Sequence, residues 1–198
     1  MNRPLIMLLA GGTASGKTTL ARLLAEREGA LHIAHDRYYV DVADPSTFNY
    51  DHPDSLDTTR LVEDLKLLRA GQPAELPVYD FKTHHRQPQT ERVEPAPLIV
   101  VEGILVLWDE RMRRLSDLRA FVHADDDIRL ARRVLRDIAE RGRSVQSVVD
   151  QYLKTVRPMH RMYAGPSAAF ANLMLNGEGR IELELEAIKE MTAQVRLR

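Results

Sequence analysis

The stretch Gly11-Gly12-Thr13-Ala14-Ser15-Gly16-Lys17-Thr18-Thr19 carries the most specific chemistry in the chain. Gly11 and Gly16 enclose four residues, and Lys17 and Thr18 follow at once, which is the spacing of a phosphate-binding loop. Small residues let successive backbone N–H groups converge on phosphate oxygens. The N-terminus of the next helix adds its partial positive charge, and the Lys17 ammonium supplies a point charge. Thr18 offers a hydroxyl to Mg²⁺. The motif demands a strand before it and a helix after it, and "LIMLLA" (5–10) and "TLARLLAERE" (19–28) meet both conditions. A plain glycine turn would require neither Lys17 nor Thr18. The sequence therefore points to a bound nucleoside triphosphate.

Three further sets of residues could act on that triphosphate. Glu102 lies near the end of "LIVVEGIL" (98–105), where an acid can hold Mg²⁺ through water or can simply be an exposed strand-end carboxylate. Asp36 follows the apolar stretch of "LHIAHDRYY" (31–39), so it should emerge at the same carboxyl edge of a parallel sheet as the glycine loop. There it could accept the proton of an attacking hydroxyl, or cap the following turn. Arg129, Arg132, Arg133 and Arg136 recur at i, i+3, i+4 and i+7 along one helix face, with Arg141 and Arg143 flanking Gly142. Such guanidinium groups suit closure over a migrating phosphoryl, with Gly142 freeing the hinge. They equally suit a solvated face paired with Asp125, Asp126, Asp127, Asp137 and Glu140.

The elements that must position these groups follow from periodicity. Apolar runs at 5–10, 30–34, 98–101 and 118–122, separated by helical patterns, predict a parallel sheet covered by helices. "ANLML" (171–175) reads as a fifth strand, giving an α/β, P-loop-type domain over 1–198. The C-terminus reads as a helix, although "RIELELE" (180–186) also alternates as a strand would. Residues 37–97 contain Pro45, Pro53, Pro73, Pro77, Pro88, Pro95 and Pro97 and are too long for a crossover, so they form an insertion. Within it a helix starts at Asp57 or Thr58, carries Leu61, Leu65 and Leu68 on one face and ends at Gly71. A second helix after Ala124 has Ile128, Leu130, Val134, Leu135 and Ile138 as its apolar positions and stops at Gly142. A third runs from Val145 to about Tyr163, kinked or interrupted by Pro158.

Composition narrows the class. The formal charge is -1 over 198 residues, so no global field draws the chain to nucleic acid or to a membrane surface. With no cysteine, a disulfide framework and thiolate metal sites are excluded, in keeping with a reducing, cytoplasmic location. The first apolar run is too short to span a bilayer. No Asn-Lys-x-Asp guanine signature occurs, and the chain is short for a motor domain. A small-molecule kinase is the leading class.

"GGTASGKTT", "HDRYY", "FNYDHPDSLD", "PVYDFKTHHR", "IVVEGIL", "RDIAERGR" and "QYLKTVRPMH" together resemble the uridine kinase (uridine-cytidine kinase) family, in its order and spacing, over residues 4–165. The resemblance implies phosphorylation of a pyrimidine nucleoside at its 5′-hydroxyl, with Mg²⁺ and with ATP or GTP as donor. It makes Asp36 the base, and sets Asp36, Thr18 and Glu102 about Mg²⁺, partly through water. Tyr39 becomes an aromatic of the nucleoside pocket, Asp51 the ligand of the ribose hydroxyls, and Tyr79, Phe81 and His84 the enclosure of the pyrimidine. A ring nitrogen that donates or accepts suits both uracil and cytosine, so both should be accepted. Arg133 and Gln151 become further nucleoside contacts, and Arg136, Arg141 and Arg143 the catalytic arginines of a lid over 136–146. A homotetramer is the implied assembly. Without the resemblance, Asp51 reads as a turn residue, and the aromatics and histidines of "VYDFKTHH" as a hairpin. The segment 166–198 departs from the family: Ser167-Ala168-Ala169 lacks its lysine and Asn172 replaces an aspartate, so no functional residue is assigned there. The rivals are a related kinase with another hydroxyl acceptor, like phosphoribulokinase or pantothenate kinase, and a non-catalytic sensor of pyrimidine nucleotides.

Overall fold

The computed structural model describes residues 3–45 and 47–197, so the ends of the 1–198 span and residue 46 of the insertion lie outside the described residues. The chain runs through β1 (Leu5–Gly11), α1 (Lys17–Glu28), β2 (Leu31–Ala34), α2 (Thr58–Arg69), and the strands β3 (Ala74–Asp80) and β4 (His85–Val93). It continues through β5 (Leu98–Gly103), α3 (Glu110–Leu115), β6 (Leu118–His123), α4 (Asp126–Arg141), α5 (Val145–Gln151), α6 (Arg157–Met159), β7 (Leu173–Asn176) and α7 (Ile181–Arg196). Five strands form one sheet in the order β2-β5-β1-β6-β7. Every pairing in it is parallel. β3 and β4 form a separate antiparallel pair, the β-containing part of the insertion.

β1 is buried along its whole length, as an apolar run must be when helices cover both faces of a parallel sheet. Its alternate residues build two cores. Ile6, Leu8 and Ala10 pack with Ile33, Val101 and the α2 stripe of Leu61, Leu65 and Leu68. Leu5, Met7 and Leu9 pack with Val100 and Ala120, under Leu20 and Leu24 of α1 and Leu185 and Ile188 of α7. Asp57 is the cap of α2, its carboxylate accepting from the Arg60 amide at 3.1 Å, and Thr58 is the first helical residue.

One expectation needs correction, and two open alternatives are decided. α4 does not turn its apolar positions inward: Leu135 is 70% exposed and Ile138 40%, while Arg129, Arg133 and Asp137 are buried. The helix packs its polar face on the glycine loop, where opposite charges and loop hydroxyls make burial of guanidinium groups tolerable. Pro158 does not break the third helix, because wide π-turns at Tyr152–Val156 and His160–Ala164 flank α6 and absorb its missing N–H. "RIELELE" belongs to α7: burial of Leu185 and Ile188 follows the helical period, and Leu183, which a strand would align with Leu185, is left exposed.

Leu8 lies at the centre of β1 with none of its surface accessible. Leu8→Ala should lower stability by about 2–5 kcal/mol, through lost burial and the cavity left behind. The measurement is the shift of the urea midpoint at unchanged slope.

Candidate active site

The glycine loop joins the carboxyl end of β1 to α1, and its backbone is bent where the motif requires it. Gly16 adopts a left-handed φ of 101° at the helix N-cap, and Ala14 one of 57°. The Ser15 amide donates to the Gly12 carbonyl at 3.2 Å, while the buried Ser15 hydroxyl has no partner among the described residues. A Cβ on Gly12 would meet the Arg129 guanidinium of α4, and that side chain would have to shift to make room.

Glu102 sits opposite Leu9 of β1 and Ala34 of β2 in the sheet register. That register delivers its carboxylate beneath the loop. Its Oε1 accepts a hydrogen bond from the Thr18 hydroxyl at 3.0 Å and lies 3.6 Å from His32 Nε2, and its Oε2 lies 3.8 Å from Lys17 Nζ. Burial opposes its ionisation, but Lys17, His32 and Thr18 outweigh burial and hold the carboxyl below its ordinary value. An exposed strand-end acid is thereby excluded, since Glu102 is buried. Among the described residues no three His, Cys, Asp or Glu side chains are grouped to cage a metal. A hydroxyl and one carboxylate are the sparse oxygen set that suits Mg²⁺, which keeps waters and takes phosphate oxygens.

Asp36 lies in a 3-10 turn (His35–Tyr38) directly after β2, and that turn has no side-chain cap bond. Asp36 is the second residue of that turn, whose N-cap is Ala34. Burial pushes its carboxyl up to about 6, the charge of Glu102 adds to this, and Lys17 and Arg141 partly offset it. Such a group is close to balance between acid and base near neutral pH.

The insertion is fastened to this turn by two arginines. Arg86 donates from Nε to the Tyr39 carbonyl and from Nη2 to the Tyr38 carbonyl, both at 2.9 Å. Arg37 donates to the Pro77 carbonyl at 2.9 Å. These bonds bring the β3–β4 aromatics to Asp36. Tyr39 touches Tyr50 and Tyr79 at ring-centroid distances of 5.1 and 5.4 Å, and Tyr79 touches Phe81 at 5.2 Å. His84, at a left-handed φ of 58°, lies 5.3 Å from the Tyr50 ring at a shallow angle of 32°. Asp51 accepts from the Thr155 hydroxyl at 2.8 Å, and burial raises its carboxyl above the ordinary value. A cavity of about 570 Å³ lined by His35, Asp57, Trp108 and Arg111 contains none of the candidate catalytic or binding residues.

The arginines do not form one solvated face: Arg132 and Arg141 are exposed, but Arg129 and Arg133 are buried. Arg129 is 2% and Arg133 6% exposed. Arg133 donates to the Thr13 hydroxyl at 3.1 Å and to Gln151 Oε1 at 2.9 Å, and Arg143 reaches the same Gln151 oxygen at 2.5 Å. Arg136, Arg141 and Arg143 all pair with Asp137. Arg132 stands apart, donating to the Gly177 carbonyl at 2.8 Å.

Several contributors escape sequence reasoning. Tyr50 is the centre of the aromatic group, with Phe48 on one side at 5.0 Å, although both flank Asp51 in the quoted "FNYDHPDSLD". Thr155 and His32 show only as partners of Asp51 and Glu102. Gly177, in the segment to which no role was assigned, follows β7 so closely over the loop that a Cβ would strike the Ser15 carbonyl. The Asn-Gly-Glu-Gly run at 176–179 was the available signal.

Comparison with known proteins follows the same lines. A family model described as "Phosphoribulokinase / Uridine kinase family" matches residues 6–180. A uridine kinase of Chloroflexus aurantiacus is 47% identical over 193 residues, spanning 93% of this chain and 92% of that protein. One from Streptococcus equi subsp. zooepidemicus is 43% identical over 183 residues, 88% of each chain. The solved phosphoribulokinase from Rhodobacter spheroides superposes with a TM-score of 0.65 at 16% identity, over 89% of this chain and 71% of that one, a likeness of fold. The chain, with its glycine loop, buried Glu102 and five-stranded parallel sheet, belongs to the phosphoribulokinase/uridine kinase family.

Proposed function

We propose that the chain transfers the γ-phosphoryl group of ATP to the 5′-hydroxyl of uridine or cytidine, giving UMP or CMP. The observation that carries this reading is the placement of Asp36. Its carboxyl lies within electrostatic reach of Lys17 on the donor side and Asp51 on the acceptor side, with its value raised to about 6. A group so placed can orient the nucleoside hydroxyl and take its proton as the O–P bond forms. Lys17 and the amides of Gly11–Thr19 hold the triphosphate, while Arg136, Arg141 and Arg143 neutralise charge on the migrating group and exclude water. Thr18, Glu102 and Asp36, partly through water, are the residues that would hold Mg²⁺, which would supply charge neutralisation on the phosphates.

Asp51 accepts hydrogen bonds from the two ribose hydroxyls. Tyr39, Tyr79 and Phe81 supply ring faces, His84 reads the pyrimidine edge, and Arg133 and Gln151 complete the nucleoside contacts. The connected aromatic group favours a base-bearing acceptor over a sugar phosphate or pantothenate. The relatives named uridine kinase support the same acceptor. A sensor would have no use for a base at the acceptor hydroxyl. The reading extends to a homotetramer in the cytoplasm that needs neither nucleic acid nor membrane.

A coupled assay of ADP release with ATP or GTP, Mg²⁺ and a panel of nucleosides tests the substrate class. Stimulation by a different acceptor, with uridine and cytidine inert, would overturn it. Asp36→Asn should lower kcat by about 10²–10⁴-fold with ATP binding retained, and an active variant would remove Asp36 from the base role. Because the carboxyl must be ionised to accept a proton, kcat/KM for the nucleoside should fall about tenfold per unit as pH drops below about 6. The raised value also means that ionised Asp36 opposes folding, a penalty that is full above pH 6, shrinks as pH falls below 6 and is gone below the ordinary value of 3.8. Asp36→Asn should therefore raise the melting temperature at pH 8 and much less at pH 4. His84→Tyr should narrow acceptance to one base, and an unaltered uridine-to-cytidine ratio of kcat/KM would count against its role.

A further inference from the structure

Asp137 on α4 is completely buried, and four guanidinium groups converge on its single carboxylate. Among the described residues only Arg136 makes full hydrogen bonds to it, donating to Oδ1 from Nε at 2.9 Å and from Nη2 at 2.8 Å. Arg133, Arg141 and Arg143 stand off at 3.6, 3.6 and 3.7 Å. Oδ2 accepts no hydrogen bond, and the buried Nε of Arg133 has no partner among the described residues. A carboxylate that served only as a structural tie would have satisfied these groups, since unmet buried hydrogen bonds are costly. Four cations stand within 3.7 Å of this one carboxylate, while Asp51 and Asp36 act on Arg133 and Arg141 from farther off.

The backbone of the same residue shapes the corner of the lid. The Asp137 carbonyl accepts from the Gly142 amide, where the chain turns with a φ of 63°, and from the Arg143 amide at 3.1 Å. Side chain and main chain of one residue thus fix both the direction of the lid and the fan of its arginines. Through Gln151 and Arg133 the fan reaches Thr13 of the glycine loop.

We propose that Asp137 is a positioning residue, an internal anion that keeps the lid arginines together before the triphosphate arrives and then gives some of them up to it. The proposal rests on the reading that Arg136, Arg141 and Arg143 close over the triphosphate. Phosphate oxygens offer guanidinium groups the bidentate acceptors that the half-bonded carboxylate withholds. The carboxylate competes with polyanions for these cations, so it lowers donor affinity, while the order it imposes favours transfer.

Asp137→Asn keeps the shape and removes the charge. It should tighten binding of inorganic tripolyphosphate, measured by calorimetry, by about threefold or more. It should also lower kcat by about tenfold or more. Loss of a merely structural contact would not raise affinity while lowering kcat. An affinity that is unchanged or weaker, or an unchanged kcat, overturns the proposal. Arg143→Gln separates the two ideas: if it leaves tripolyphosphate binding intact, the lid reading itself fails. Should the Asn variant not fold, the wild-type structure with a non-hydrolysable ATP analogue decides. Transfer of Arg141 or Arg143 from Asp137 to phosphate oxygens is expected, and retention of both on Asp137 alone refutes the proposal.

Discussion

Buried charge at the carboxyl edge of the sheet is the constraint on which the site depends. Glu102, Asp36 and Asp51 are brought together where solvent is scarce, and Lys17 and the arginines are the cations that make this tolerable. The balance is deliberately incomplete. Glu102 wins its partners and stays ionised, whereas Asp36, with burial and a neighbouring carboxylate against it, is held at the threshold of protonation. Two carboxylates near the ends of neighbouring strands are thereby driven in opposite directions, one held ionised and one held close to protonation.

The arginine helix obeys the same constraint in reverse. A surface helix ordinarily buries its apolar stripe, because that removes hydrocarbon from water. α4 instead buries Arg129, Arg133 and Asp137 against the glycine loop and leaves Leu135 exposed. Fold stability would favour the opposite rotation. A hydrogen bond from Arg133 to Thr13, and the close approach of Arg129 to Gly12, show what the adopted rotation achieves: α4 packs directly on the phosphate loop.

The acceptor side is assembled by other means. Its aromatics come from an insertion that pairs with no strand of the main sheet. Arg86 and Arg37 tie that insertion to the turn holding Asp36 through backbone carbonyls, which act whatever side chains stand there.

Much of this was legible in the order of residues. Runs such as 5–10 and 98–101 are apolar throughout, and only a doubly covered parallel strand accounts for that; the glycine loop states its phosphate chemistry in its spacing. Such features are local, so sequence determines them by itself. The rotation of α4, the accommodation of Pro158 and the helical state of "RIELELE" were decided by packing, since each local pattern admits more than one answer until a neighbour is present. Tyr50, Thr155, Gly177 and the hub role of Asp137 belong to the tertiary structure for the same reason. Asp51 and Thr155 are 104 residues apart, and Arg133 and Thr13 are separated by 120. Their meaning lies in a partner, and only the folded chain supplies it.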